Sequence, residues 1–214
     1  MNIKKIIGKS SLGKKLVKQK SKKDVQNYWK NPDDPEYNSP QAYLESKTKN
    51  TKILVDIFNQ YFPNKNIKIL ELGCNVGRNL NQLFDEGFKD LYAIEINAEA
   101  IELMKKSFPN TFSSTNIFNS PIEDTIKKFV DNEFDVVFSM AVLMHIHYDS
   151  NWIFEHIARI TKRYLITMEN EQVVAKKNFP RNYKMIFEKL GLTEIRSFDL
   201  DEGYKGRIFT RDTS

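Results

Sequence analysis

From residue 67 onward the apolar positions alternate between two rhythms. "IKILELG" is apolar at nearly every position, as in a strand covered on both faces. Leu80, Leu83 and Phe84 then recur at helical spacing until Gly87 stops the run. "LYAIEI" reads as a second strand, followed by Asn97 as the N-cap of a helix over "AEAIELMKKSF". "SSTNIF" gives a weak third strand, "FDVVFSM" a strong fourth and "RYLITME" a fifth. Between the last two, Trp152, Ile153, His156, Ile157 and Ile160 mark a covering helix, with Asp149 or Ser150 as its N-cap. "YKMIFEKLGL" predicts a helix ended by Gly191, and "TEIRSFDL" and "GRIFTRD" predict two closing strands joined near Gly203. The alternation predicts an α/β protein: a doubly wound, mostly parallel seven-stranded sheet with an antiparallel C-terminal strand pair.

Upstream the rhythm changes. Leu44, Ile53, Leu54, Ile57, Phe58 and Phe62 predict one helix from about Gln41 to Phe62, closed by Pro63 and Asn64. Before it, "DVQNYWKNPDDPEYNSPQAYLES" reads as a short helix and a long loop, too aromatic for a mere connection. The chain therefore divides into a tail over 1–23, a helical lid segment over 24–62 and the α/β domain over 63–214. Trp29, Tyr37 and Tyr43 are candidates for the lid's inner surface.

Charge sharpens the division. The 214-residue chain has a net charge of +5, but residues 1–23 hold nine Lys and no acid, leaving 24 basic residues against 28 acidic in the rest. A body that is mildly acidic excludes a global nucleic-acid patch. The tail, with Ile3, Ile6, Ile7, Leu12, Leu16 and Val17 among its lysines, reads as a solvated arm or a peripheral contact with an anionic membrane. No apolar run approaches the roughly 18 residues of a membrane span, and the start has no secretory pattern. With Cys74 as the lone cysteine, a cytoplasmic setting is expected.

The chemistry gathers where the first strand ends. In an open parallel sheet ligands bind beyond the carboxyl ends of the strands, and "ELGCNVGRN" lies there. Glycines at 73 and 77 permit positive φ and close approach of the backbone. The spacing E-x-G-x-x-x-G departs from the dinucleotide pattern, with Cys74 and Asn75 where a second glycine would stand. Glu95, ending the second strand, is placed to accept ribose hydroxyls. A ribose is expected there, without a pyrophosphate. Arg78 and Asn79 open the following helix, Asn79 as cap or ligand.

"LELGCNVGRN", "LYAIEIN" and "FDVVFSMAVLMHI" together resemble the class I S-adenosylmethionine-dependent methyltransferase family over roughly residues 50–214. The resemblance implies a Rossmann-like sheet, S-adenosylmethionine as cofactor and S-adenosylhomocysteine as product. It also implies cofactor contacts by Glu71, Gly73, Cys74, Asn75, Gly77, Asn79, Glu95, Ile96 and Met140, with Ser120, Ile122 and Glu123 beside the adenine.

Methyl transfer to an alcohol requires alignment and a group to take the proton. His145 and His147, just past the fourth strand, are the candidate bases. Tyr43, Arg181 and Tyr183 are candidates for the acceptor pocket, and His156 is read as structural. His145, His147, Asp149, Glu169 and Glu171 are close enough in sequence to suggest Mg²⁺ or Mn²⁺, but the acids are read as solvated loop residues and no metal is assigned. The expected acceptor is a small polar molecule, such as a sugar, a sugar nucleotide or a cell-surface glycan precursor, methylated on oxygen. Alternatives are RNA or protein reached through the basic tail, a non-catalytic binding protein of the same fold, and an NAD-dependent reductase.

Overall fold

The computed structural model describes residues 17–34, 36–46 and 49–211; the tail's apolar positions up to Leu16 lie outside the described residues. The sheet consists of β1 (Ile69–Leu72), β2 (Leu91–Glu95), β3 (Thr115–Asn119), β4 (Phe134–Met140), β5 (Thr161–Asn170), β6 (Thr193–Asp199) and β7 (Tyr204–Thr210). Their order is β3-β2-β1-β4-β5-β7-β6, with only β7 running against its neighbours. The chain winds outward from β1 through β2 and β3, then returns to lay β4 on the other side of β1. That reversal opens a crevice at the carboxyl ends of β1 and β4.

Helices cover both faces. α1 (Lys22–Lys30), α2 (Pro40–Glu45) and α3 (Lys49–Tyr61) precede β1; α4 (Arg78–Asp85) joins β1 to β2; α5 (Ala98–Ser107) and α6 (Pro109–Ser114) lead to β3. α7 (Ile122–Thr125), α8 (Ile153–Ile160) and α9 (Tyr183–Lys189) follow. Alternation along β1 sends Ile69 into one apolar cluster with Leu54, Phe58, Leu80 and Met104, and sends Leu70 and Leu72 into the other with Ile153, Ile157, Tyr183 and Phe187. Phe58 is fully buried, with ring centroids of Phe62, Phe88 and Phe138 at 5.3, 5.4 and 5.6 Å. That packing, worth about 3–5 kcal/mol against Ala, fixes α3 and hence the residues at its start, which face the crevice.

Three local expectations are corrected. The helix read over residues 41–62 is two helices, because the chain turns extended at Ser46 (φ −69°, ψ 160°) and the freed carbonyls of Tyr43 and Ser46 accept from the Arg78 guanidinium. Residues 109–114, ahead of the third strand, form α6, started by Pro109 in the first helical position. Neither Asp149 nor Ser150 caps α8: the Asp149 amide is bound by His147, and Ser150 Oγ donates to Glu123 Oε1 at 2.9 Å. His156 meets the Trp152 ring edge to face and accepts from Arg159 Nε at 3.2 Å, remote from the crevice. No described helix is long and apolar enough to cross a membrane.

Candidate functional site

A cavity of about 300 Å³ lies over the carboxyl ends of β1, β2 and β4, and the N-terminal helices close its outer side. Its floor is the turn after β1. Gly73 (φ +72°), Asn75 (φ +48°) and Gly77 (φ +69°) occupy left-handed backbone, and the Gly73 amide donates to Ile94 O at 2.8 Å, binding the turn to β2. A Cβ on Gly73 would lie 2.6 Å from Val142 Cγ2, and one on Gly77 2.3 Å from Met104 Sδ. The glycines therefore let the turn pack against the protein, leaving its other side to the cavity. Gly77 itself is absent from the cavity wall.

Two acids face this space. Glu71, within the buried strand β1, accepts from Asn79 Nδ2 at 2.7 Å through Oε1, and Asn79 is held by Thr51 Oγ1 at 2.8 Å. Glu71 Oε2 is buried without a partner among the described residues. Burial, aided by the neighbouring Glu95, pushes the Glu71 carboxyl up to about 8. Glu95 accepts the amides of Asn75 (2.7 Å) and Asn97 (2.8 Å), and burial outweighs these bonds to raise its pKa. Asn97, which also lines the cavity, caps α5 through Oδ1, while its Nδ2 is buried without a partner among the described residues. Cys74 stays a thiol: burial and then the two acids hold its pKa well above the ordinary value.

Ile96, Ser120, Ile122, Glu123 and Met140 complete this half of the wall. Ser120 Oγ is hydrogen-bonded to Thr125 Oγ1, and Glu123 to Ser150, so these side chains are already held by the body. The opposite half is formed by Trp29, Tyr43, His145, His147, Glu202 and Tyr204. Tyr43 is held over the crevice because Arg78, at the start of α4, binds its carbonyl. Burial pushes the phenols of Tyr43 and Tyr204 up to about 12, so at neutral pH both are O–H donors and neither is a base. The Trp29 indole N–H is shielded from solvent and has no hydrogen-bond partner among the described residues. Tyr37, by contrast, is 74% exposed and off the wall.

The histidines differ. His145 packs against Trp29 (centroids 4.4 Å apart) and its Nδ1–H donates to Lys177 O at 2.9 Å. Burial lowers its pKa to about 4, so the ring is neutral at pH 7 and reluctant to hold a proton. His147 Nδ1 stands 3.1 Å from the Asp149 amide and 3.2 Å from its carboxylate. Because Nδ1 accepts that amide N–H, the neutral ring carries its proton on Nε2, the nitrogen left for a ligand.

The expected acceptor residues Tyr183 and Arg181 are corrected. Tyr183 is fully buried, stacked on Phe187 in the core, and Arg181 is spent on Asn151 Oδ1 (2.9 and 2.8 Å) and Phe179 O (2.7 Å). Neither reaches the cavity, because α9 turns its aromatic face inward. Glu169, read as a solvated strand-end acid, is wholly buried: Ser139 Oγ and the Val142 and Met144 amides donate to it, and burial pushes it up to about 7. Glu171 pairs with Arg207 at 2.6 Å. Among the described residues no three His, Cys, Asp or Glu side chains gather as a metal would require. Asn97, Glu202 and Tyr204 were missed. Asn97's cap pattern gives no sign that it also lines the cavity, and the β6–β7 turn carries no signal that it folds back over β1.

The comparisons agree with this geometry. Residues 70–165 match the methyltransferase domain family. The fold is shared with a SAM-dependent methyltransferase from Aquifex aeolicus (TM-score 0.63, 15% identity, 81% of this chain and 99% of that one). It is shared too with magnesium protoporphyrin IX methyltransferase from Synechocystis PCC 6803 with bound SAH (TM-score 0.67, 13% identity, 90% and 100%). The [4+2]-cyclase SpnF is similar as well (TM-score 0.69, 11% identity, 92% and 98%). None of the curated proteins matches in sequence. Residues 70–165 thus match the methyltransferase domain family within a sheet whose fold is shared with S-adenosylmethionine-dependent methyltransferases.

Proposed function

We propose that this protein methylates an oxygen of a small polar acceptor, a sugar or sugar nucleotide being the class that suits the site. The observation that carries the cofactor half is Glu71 Oε2, a buried oxygen without a partner beside a second buried acid. Such a pair is poorly compensated, and a cationic ligand restores the balance. S-adenosylmethionine, when bound, would supply an electrophilic methyl group on a positively charged sulfur. Glu71 and Glu95 would hold its cationic and ribose portions, Gly73 to Asn75 would lie along it, and Asn97, Ser120, Ile122 and Glu123 would frame its base.

The acceptor half rests on polar groups facing the other side. The Trp29 N–H and the Tyr43 and Tyr204 hydroxyls offer donors to an oxygen-rich ligand. His147 takes the proton that an acceptor hydroxyl sheds as its oxygen bonds to carbon, once the ring has released the Asp149 amide and turned an Nδ1–H to the Asp149 carboxylate, which then steadies the imidazolium. His145 serves as a neutral wall that positions Trp29. Titration with S-adenosylhomocysteine, then incubation with labelled S-adenosylmethionine and a panel of sugars and sugar nucleotides read by mass, tests both halves. Failure of S-adenosylhomocysteine to bind would refute the reading. The fold is compatible with other chemistry, as its likeness to a cyclase illustrates, so binding without methyl transfer to any oxygen acceptor would refute the second half alone.

A further inference from the structure

The outer mouth of the cavity carries charge that methyl transfer leaves unexplained. A shallow groove runs along Lys18, Lys20 and Asp24 and ends at His147, which also stands on the cavity wall. Lys22, one turn of chain further, lines the cavity itself. This strip is docked on the body: the Lys20 amide donates to Lys176 O at 2.8 Å and Gln19 Nε2 to Asn178 O at 2.6 Å. The lysines thus sit at set places.

Their charge is only loosely engaged: Lys20 Nζ stands 5.4 Å from the Tyr28 centroid and within the field of Asp24. Lys49, Lys68, Lys162, Lys184 and Lys205 each pair with a carboxylate, whereas among the described residues Lys18, Lys20 and Lys22 form no ion pair. Asp24, the groove's own acid, is engaged by Ser21 Oγ at 2.6 Å. Lys177 adds a further cation near Lys20, its ammonium 3.0 Å from the centroid of Tyr28 and within the field of Asp33 and Asp34. Several ammonium groups beside a cavity, with few acids among them, form a point-charge site for a compact polyanion.

We propose that this groove holds the phosphate of a phosphorylated acceptor, free or borne on a lipid headgroup, while the group to be methylated reaches past His147 into the cavity. The second clause rests on the methyl-transfer reading; the groove stands or falls by itself. It gives the sugar-nucleotide class a physical reason, since a diphosphate would lie along the lysines with its sugar turned inward.

The chain has two tryptophans, so W152F leaves Trp29, on the cavity wall, as the reporter. Inorganic pyrophosphate, and phosphatidylcholine vesicles with and without phosphatidic acid, are titrated against its emission, with calorimetry on the unsubstituted protein as a check. Saturable binding is expected, about tenfold weaker in K20A/K22A, unchanged in K4A/K5A, and falling as salt rises. Pyrophosphate binding with that pattern assigns a free phosphate; the same pattern with phosphatidic acid vesicles alone assigns a headgroup. No binding of either probe, or equal losses in the two double variants, overturns the proposal, the second by reducing it to bulk charge. S-adenosylhomocysteine is titrated in parallel. If it fails to bind where pyrophosphate succeeds, methyl transfer falls and the groove remains; the opposite result removes the groove alone.

Discussion

Glu71 and Asn79 meet at 2.7 Å across the turn between β1 and α4, and this bond satisfies one oxygen of a carboxyl whose other oxygen is sealed in without a partner. A carboxyl so placed holds its proton: burial and Glu95 push it up to about 8, so at pH 7 the ligand-free protein carries Glu71 mainly in the protonated form. A cationic ligand favours the carboxylate. Binding of S-adenosylmethionine at pH 7 is therefore expected to expel protons, seen as a dependence of calorimetric enthalpy on the buffer's ionisation enthalpy. E71Q should bind more weakly and lose that dependence, and equal enthalpies in all buffers with the wild type would show that Glu71 does not titrate on binding.

The same shift has a signature in stability. Glu71 is about 8 when folded and near 4.5 when unfolded, so its contribution is fully present below pH 4.5 and is lost as pH rises towards 8. E71Q lacks that loss. The melting temperature of E71Q relative to wild type should rise between pH 5 and pH 9, while the loss from Glu169, held at about 7, remains common to both proteins. A constant difference across that range would contradict the linkage.

Glu95 has a double duty. From sequence it reads as a ribose ligand alone, but its oxygens also take the amides of Asn75 and Asn97, tying the glycine turn to the end of β2. Hydrogen bonds to an ionised group contribute about 1.5–3 kcal/mol, so Glu95→Ala should lower the denaturation free energy and weaken S-adenosylhomocysteine binding together. Weakened binding with unchanged stability would mean that the amides find other partners.

What sequence patterning could reveal follows from which interactions are local. The β1 run, the turn, Asn97 as a cap and the run of β4 are all written in neighbouring residues, and the motifs place Glu71, Glu95 and Ser120 on the wall of one cavity. Glu202 and Tyr204 arrive from 131 and 133 residues beyond Glu71 because β7 inserts between β5 and β6, a long-range pairing that no local period encodes. Arg181 and Tyr183 fail for the opposite reason. A polar residue before a helix looks like a ligand, yet Arg181 finds its acceptors at Asn151 and Phe179, and α9 buries Tyr183.

His145 and His147, two residues apart, should separate by experiment. H147A is expected to lower turnover about 10²- to 10⁴-fold with S-adenosylhomocysteine affinity unchanged, since it removes the proton acceptor and leaves the acids in place. H145A deletes the bond to Lys177 O and the contact with Trp29, so it should lower the melting temperature and shift Trp29 emission. Equal turnover in H147A and wild type would remove His147 as the base.

Gly77 and Gly191 share a positive φ, +69° and +84°, but differ in surroundings. At Gly191 nothing lies within 4 Å of an added Cβ, so Gly191→Ala should cost only the left-handed backbone penalty of about 1–2 kcal/mol. At Gly77 the Cβ would stand 2.3 Å from Met104 Sδ, a sulfur buried in the middle of the core rather than a free side-chain end. Gly77→Ala should therefore cost the same penalty plus that of displacing Met104, by about 1–3 kcal/mol, and should disturb the turn that carries Asn75 and Gly73. Urea denaturation of both variants reads the difference directly, and G77A/M104A should recover part of the clash cost while incurring the cost of a cavity. If the two single variants lose equal stability, the close packing of Gly77 on α5 is not what demands a glycine there, and the residue's place in the motif would have to be sought on the ligand side of the turn.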